Sequence, residues 1–325
     1  MDSELSIDSM SACRMPTSSR RAAQLPARPL LNPAVPIVPL PDDSIQVGWS
    51  PRQRLFGAES ANVVASLPLL KQQRPLKSYD TQQRQGLEAL LRCGALQSGR
   101  WPRSWARTKD ADRARLRGLV NSIAHIKAAD IVAARSRHSI WIKATGESDA
   151  FAQGFRQLGL AVATNPSAAS LAALVGPTGF QQISSLMRNG MPHVAISPRT
   201  QSVRIGPLVI PGRSPCLQCL HLTRTDRDRH FPLLSLRLER WADVERDPVL
   251  VQQAALATAR LVSQTIDAFE TAPRQTKNEI ELPTRLSQLT SKYWTVSTDG
   301  LDVGVTHIAR HPRCPCWWQS LAATG

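Results

Sequence analysis

The chain has 325 residues, 42% of them apolar, enough for one large domain or two modest ones whose core needs no disulfide staples. Its 40 Lys and Arg against 25 Asp and Glu leave a formal charge of +15. The charges are interspersed, which reads as an Arg-rich solvated surface; an acidic partner such as nucleic acid, an acidic peptide or an anionic membrane is the sharper alternative.

The opening residues, MDSELSIDSM, are acidic and lack an apolar run, so no secretory signal is expected. No stretch approaches the ~18 apolar residues of a membrane span. The best candidate, from Ala254 to Val262, is broken by Thr258 and Arg260. The expected location is therefore cytoplasmic, where thiols stay reduced and paired cysteines more often mean metal than disulfide.

Residues 1–41 read as a disordered tail, rich in Ser, Arg and Pro, ending in an extended Pro33–Pro41 lead-in. A small unit is expected over 42–126. Ser44-Ile-Gln-Val-Gly48 alternates like a short strand, with Pro51–Phe56 as its hairpin partner. Helical stripes follow at Tyr79–Leu91, with Asp80 near the start, and at Leu116–Ile126. A hairpin with a few short helices suggests a winged-helix-like module.

From 137 to 325 the rhythm becomes α/β. Strands are expected at Ser139–Thr145, Leu160–Thr164, His193–Ser197 and Ser202–Ile210, with helices at Asp149–Leu158 and Gln181–Asn189. Gly159 and Gly190 sit where C-caps would. Leu171–Val175 is open between a buried strand and the tail of a helix. Asp243–Phe269 reads as a long amphipathic helix burying Val249, Ala254, Ala257, Leu261, Ile266 and Phe269. Asn278–Leu282 and Leu301–Ile308 read as late strands. Such alternation argues for an open, largely parallel sheet.

Cys216-Leu-Gln-Cys219 and Cys314-Pro-Cys316 are two close pairs near opposite ends of this region. Zinc takes four thiolates at tetrahedral corners, and a Cys-x-x-Cys turn supplies two of them. A distant second pair closes the shell and leaves no open position, so the metal would be structural. His221 and His311 are near enough in sequence to substitute, and the competing reading is ordinary reduced or redox cysteines. Cys13 and Cys93 stand alone and read as incidental.

The stretch from Met191 to Cys219, with its strand-borne Gly206-Pro207 leading into Pro215-Cys-x-x-Cys, resembles the E1-like, ThiF-type adenylyltransferase superfamily. The continuation His221–Asp228, Phe231-Pro232 and the closing His311-Pro-Arg-Cys-Pro-Cys316 is similar to an actinobacterial branch. That branch comprises leader-peptide-binding or cyclodehydratase-associated proteins of thiazole/oxazole-modified microcin pathways. The resemblance covers roughly 45–320 in layout and is specific over 190–232 and 311–316. It implies a Rossmann-like E1/ThiF-type sheet with flanking helices, preceded by a small winged-helix-like module that clasps a peptide. A peptide would then join an exposed strand edge by β-augmentation, expected at Ser44, Ile45, Gln46, Val47 and Gly48, although a plain packing strand reads equally well.

An active member of that superfamily needs a Gly-rich turn after its first strand and an acidic residue after its second. Here the first strand runs into Lys143-Ala-Thr-Gly146-Glu147-Ser-Asp149, and the next glycine, Gly154, falls inside a helix. The second finishes Thr164-Asn165-Pro166, and no Arg or Lys follows it in Ser167–Leu174. Gly146 and Asn165 are thus the remnants of a degenerate nucleotide site. Lys143 reads as a solvated lysine, no catalytic cysteine can be placed, and ATP is not expected to bind. The cluster His221, Arg224, Asp226, Arg227 and Asp228 reads as a salt-bridged helix cap, the alternatives being a hold on a partner chain or support of the metal shell.

These residues point to a non-catalytic E1-like scaffold binding a precursor (leader) peptide, or a partner such as a YcaO-like modifying enzyme, in ribosomal peptide maturation. A homodimer is compatible with this. The rivals are an active ATP-dependent adenylyltransferase acting on a peptide or sulfur-carrier C-terminus and, third, a nucleic-acid-binding protein, for which no helix dense in base-reading residues is seen.

Overall fold

The structure is a computed structural model that describes residues 24–99, 110–123, 125, 127–144, 146–199, 201–239, 247–272, 282, 284–298 and 303–317. The chain divides into two compact units, Met1–Ala133 and Ala134–Gly325.

In the first unit β1 (Pro29–Leu31) pairs antiparallel with β5 (Leu96–Ser98), while β2 (Ile37–Pro39), β3 (Ile45–Val47) and β4 (Arg54–Leu55) form an antiparallel sheet with β3 in the middle. Helices α1 (Gly57–Lys71), α2 (Thr81–Arg92) and α3 (Asp110–Asn121) belong to this unit, and α4 (Ala128–Arg135) ends at the start of the next. Residues 24–41 therefore do not behave as the tail expected for them: β1 and β2 lie there, and Leu31, Val35 and Ile37 pack on a core of Ile45, Val47, Leu55, Val63, Leu87 and Leu90. The hairpin is pinned at Asp42, whose carboxylate accepts from the Ser44 hydroxyl at 2.6 Å and from Arg54 at 2.6 Å. Those bonds hold its pKa down to about 2.

Helix α2 starts where Asp80 suggested, with a reciprocal capping box to Gln83. Its partner α1 escapes a sequence reading because Ala and Ser interrupt any apolar stripe and Pro68 lies in its last turn. Gly86 lets the two helices meet: a Cβ there would stand 2.1 Å from the Asn62 carbonyl oxygen. Gly86→Ala is expected to push α1 away and destabilise the protein by about 1–3 kcal/mol in thermal melts. Gly118→Ala, at an exposed α3 position with open space around it, should leave stability equal or slightly higher.

In the second unit the chain runs β6 (Ser139–Ala144), α5 (Ser148–Gln157), β7 (Ala161–Ala163), β8 (Leu171–Val175), α6 (Phe180–Arg188), β9 (His193–Pro198) and β10 (Ser202–Val209). Next come α7 (Leu217–Arg227), α8 (Phe231–Glu239), α9 (Pro248–Thr271), α10 (Thr284–Thr290), β11 (Lys292–Ser297) and β12 (Val303–His307). Among the described residues seven strands form one sheet in the order β12-β11-β10-β9-β8-β6-β7. Strands β7, β6, β8 and β9 are parallel; β10, β11 and β12 add antiparallel neighbours. Leu171–Val175 is resolved as a strand, every residue buried because it lies between β6 and β9.

Helix α9 starts at Pro248, with the Asp247 carboxylate accepting from the Val249 amide at 2.8 Å. Its buried face runs through Leu250, Val251, Ala254, Ala255, Leu261 and Ile266. Val249, Ala257 and Phe269, expected inside, are on the exposed side, because Leu250, Ala259 and Val262 take the inward phase instead. Gly154 of α5 admits α9 closely, its missing Cβ lying 3.1 Å from the Ala255 carbonyl oxygen. Arg135 and Asp267, both buried, form a two-pronged ion pair at 2.8 and 2.7 Å, and Arg135 also donates to the Leu158 carbonyl at 3.2 Å. The expected strand Asn278–Leu282 lies almost wholly outside the described residues, and that at Leu301–Ile308 is β12. Strand β11 was not anticipated.

Candidate functional site

Strand β10 delivers the first cysteine pair. After Val209 the chain turns through Pro211–Arg213, and the Ser214 hydroxyl fastens the turn by accepting from the Ile210 amide at 2.8 Å. Cys216 is the N-cap of α7 and Cys219 lies one turn inside it. The second pair sits on the loop after β12, where the Cys314 amide donates to the His311 carbonyl at 2.9 Å. All four cysteines are buried and none is in a disulfide.

Their sulfurs converge. Cys216 lies 3.8 Å from Cys219 and 3.6 Å from Cys314, Cys219 lies 3.5 Å from Cys316, and all four lie within 4.8 Å of one another. Four thiolates at a zinc–sulfur distance of about 2.3 Å around a tetrahedral centre would stand about 3.8 Å apart, so the donor set fits such an ion. Hydrogen bonding from Cys216 drives the Cys219 thiol far below its ordinary range, and the same contact pushes Cys216 up to about 12. Cys316 is also pushed up, first by its hydrogen bond with Cys216. Cys219 thus favours the thiolate while Cys216 and Cys316 hold their protons, and a bound cation would let those two ionise with it. The cluster could hold a metal such as zinc.

Neither candidate substitute ligand joins the sulfurs. His221 packs edge-on against Phe231, with ring centroids 5.6 Å apart. His311 is buried, with its Nε2 2.8 Å from the Asp226 carboxylate. Arg313 donates to the other Asp226 oxygen. The His311 ring, with Arg313 beside it, holds the Asp226 carboxyl below its usual range. Asp226 therefore ties α7, which carries Cys216 and Cys219, to the loop carrying Cys314 and Cys316. The predicted helix cap His221–Asp228 splits accordingly: Arg224 turns toward Phe231 and Tyr293, and Asp228 accepts from the His230 amide at 2.9 Å. Cys93 is buried at the end of α2, and Cys13 lies outside the described residues. A cavity of about 630 Å³ lies between α6 and the cysteine loops, bordered by Phe180, Ile183, Met187, Cys216 and Cys316.

The crevice that open α/β sheets use for ligands lies where strand order reverses, here between β6 and β8. Gly146 follows β6 at a φ of 87° and Asn165 follows β7, so both lie at the C-terminal ends of neighbouring parallel strands. The Asn165 side chain is engaged locally, accepting from the Ala168 amide at 3.0 Å and the Ser167 hydroxyl at 2.8 Å. Glu147, at a φ of 56°, is the N-cap of α5, and Asp149 lies in its first turn. Lys143 donates to Gln182. Gly176 and Gly179, which follow β8 on the other side of the crevice, were missed in the sequence reading.

Ser44–Gly48 falls in the first unit on the central strand of its sheet. Ile45 and Val47 are core residues, and both backbone edges of β3 are paired. The open edges of that sheet belong to β2 and β4.

No family model matches the chain, and no curated protein matches it in sequence. Solved structures do match. A heterocyclase in complex with substrate and cofactor superposes with a TM-score of 0.59 at 18% identity, over 89% of this chain and 39% of its own. The heterocyclase TruD gives 0.58 at 16% identity, over 90% of this chain and 43% of its own. MccB of E. coli, solved with ATP, gives 0.56 at 12% identity, over 89% of this chain and 99% of its own. The fold is E1/ThiF-like. The chain spans about two fifths of the length of the two heterocyclases. Within the E1/ThiF-like sheet, the cysteine cluster joins the strand end at β10 to the last loop, and the crevice at β6 and β8 opens beside Gly146. No helix among the described residues is long and apolar enough to cross a membrane.

Proposed function

We propose that this chain is a non-catalytic E1/ThiF-like scaffold in ribosomal peptide maturation, binding a precursor (leader) peptide for a YcaO-like or other modifying enzyme. The observation that carries this reading is the start of α5. A helix N-terminus stabilises a triphosphate through free amides and positive potential. Here Glu147 occupies the N-cap position without a side-chain capping bond and Asp149 follows in the first turn, so a triphosphate would approach two carboxylates. Asn165, the residue left to hold a ribose, is already engaged with Ala168 and Ser167. These residues do not fit ATP. The heterocyclase and MccB neighbours support the pathway. The four cysteines would hold one structural zinc, in keeping with a reducing cytoplasmic setting.

The peptide would be taken up at the three-stranded sheet of the first unit, along an open edge beside β3. The half-exposed Phe56 directly follows the edge strand β4, and Trp49, 87% exposed, lies on the β3–β4 connection; both would supply side-chain contacts to a strand added by backbone hydrogen bonds. With the purified protein and candidate precursor peptides, ATP–pyrophosphate exchange is expected to stay at background; robust exchange would establish the adenylyltransferase rival. In a binding titration with the same peptides Trp49→Ala is expected to weaken binding about tenfold. Unchanged affinity would remove this sheet from the role.

A further inference from the structure

Three arginines of the second unit, on β10, α7 and the end of β9, have no acid among the described residues to answer them. Arg204 projects from β10 on the face opposite the buried Val203 and Ile205, and its guanidinium carbon lies 4.4 Å from the centroid of Tyr293 on β11. Arg224 of α7 reaches the same ring at 6.0 Å and the Phe231 ring at 5.4 Å. Arg199, exposed just beyond β9, is close enough to act on Arg224. Burial first, and the Arg199 charge after it, press the Arg224 pKa down. Among the described residues none of the three pairs with a carboxylate, whereas Arg135, Arg137 and Arg313 all do.

Two donors in this cluster are stranded. Arg204 Nε and Arg224 Nη2 are buried without any hydrogen-bond partner. A buried charged donor left unpaired is costly, and the like charges of Arg199 and Arg224 add repulsion. Arg224 also hydrogen-bonds the Tyr293 side chain. Aromatic stacking engages only the face of a guanidinium, so Arg204 Nε and Arg224 Nη2 are left as in-plane donors without a partner. Both residues remain partly exposed, so a small rotation of the side chain offers those donors to an incoming group. The group that relieves both effects carries negative charge and two or three acceptor oxygens.

We propose that Arg199, Arg204 and Arg224 form a binding site for one oxyanion group, a carboxylate or a phosphate, seated against Tyr293 and Phe231. This site involves neither the cysteine cluster nor Gly146, and it does not depend on the peptide reading above. The ligand oxyanion accepts from Arg204 Nε and Arg224 Nη2, and Arg199 closes over it from solvent.

The test uses the full chain with arginine side chains labelled with nitrogen-15, titrated separately with inorganic phosphate and with acetyl-Leu-Asp-amide. Either probe is expected to shift the Arg204 Nε resonance in a saturable way, and the probe that does so names the source of the oxyanion. The amide analogue acetyl-Leu-Asn-amide should bind at least tenfold more weakly than its acid. Arg199→Gln, at an exposed position that folding does not need, should weaken the effective probe tenfold or more, whereas Arg260→Gln on the exposed side of α9 should leave it unchanged. An Arg204 Nε signal indifferent to both probes, or equal affinity in Arg199→Gln and wild type, overturns the site.

Discussion

Replacing Cys216 by Ser is expected to take bound zinc from one per chain to near zero and to lower the melting temperature by more than about 10 °C. Cys216 is in sulfur contact with both Cys219 and Cys314, so its loss opens the shell at the point where the two pairs meet. The remaining three sulfurs have one another within reach but, among the described residues, no fourth soft donor, since His221 is held against Phe231 and His311 by Asp226. Removing zinc with a chelator should reproduce the same loss in the unaltered protein and readdition should reverse it. Metal at one per chain with unchanged melting in the Cys216 variant would relocate the site.

The second large effect is expected at Asp267. Asp267→Ala leaves the Arg135 guanidinium buried among apolar side chains with only the Leu158 carbonyl as partner, and is expected to cost about 3–5 kcal/mol. The double replacement Arg135→Met with Asp267→Leu should recover most of that loss, because it removes both charges from the core at once. Thermal melts of the three proteins decide the matter. A double variant as unstable as Asp267→Ala would mean that the pair acts through packing and not through charge.

The second unit was largely legible because its strands are short apolar runs, two of them preceded by the helix-closing Gly159 and Gly190. Leu160–Thr164, His193–Ser197 and Ser202–Ile210 each appear within a residue or two of their expected limits. The cysteine pairs were legible from spacing alone, and the convergence of their sulfurs follows that expectation. The first unit was harder. Residues 29–39 look like a proline-rich tail because β1 and β2 are only three residues each and β1 gains its partner, β5, from a distant segment. Whether Ser44–Gly48 is edge or centre depends on β2, which no local pattern announces. Strand β11 was missed because Lys292-Tyr-Trp-Thr-Val-Ser297 is only half-buried and lacks a continuous apolar face. The arginine cluster was invisible for a related reason: Arg199, Arg204 and Arg224 are brought together by the β10–β11 register and by α7, not by sequence spacing.

The two cysteine pairs are far apart along the chain, and that distance sets how selective a metal is between folded and unfolded protein. In the folded state the sheet has already brought Cys219 beside Cys316. An unfolded chain must close a ring of roughly 100 residues to offer the same four sulfurs, at an entropic cost of about 4–5 kcal/mol. By linkage, the amount by which this closure weakens metal binding to the unfolded chain is the amount by which a bound metal favours the folded one. A chain cut between α9 and α10 would therefore depend on its metal differently from the intact protein, since its two halves would have to find each other by concentration instead of by tether.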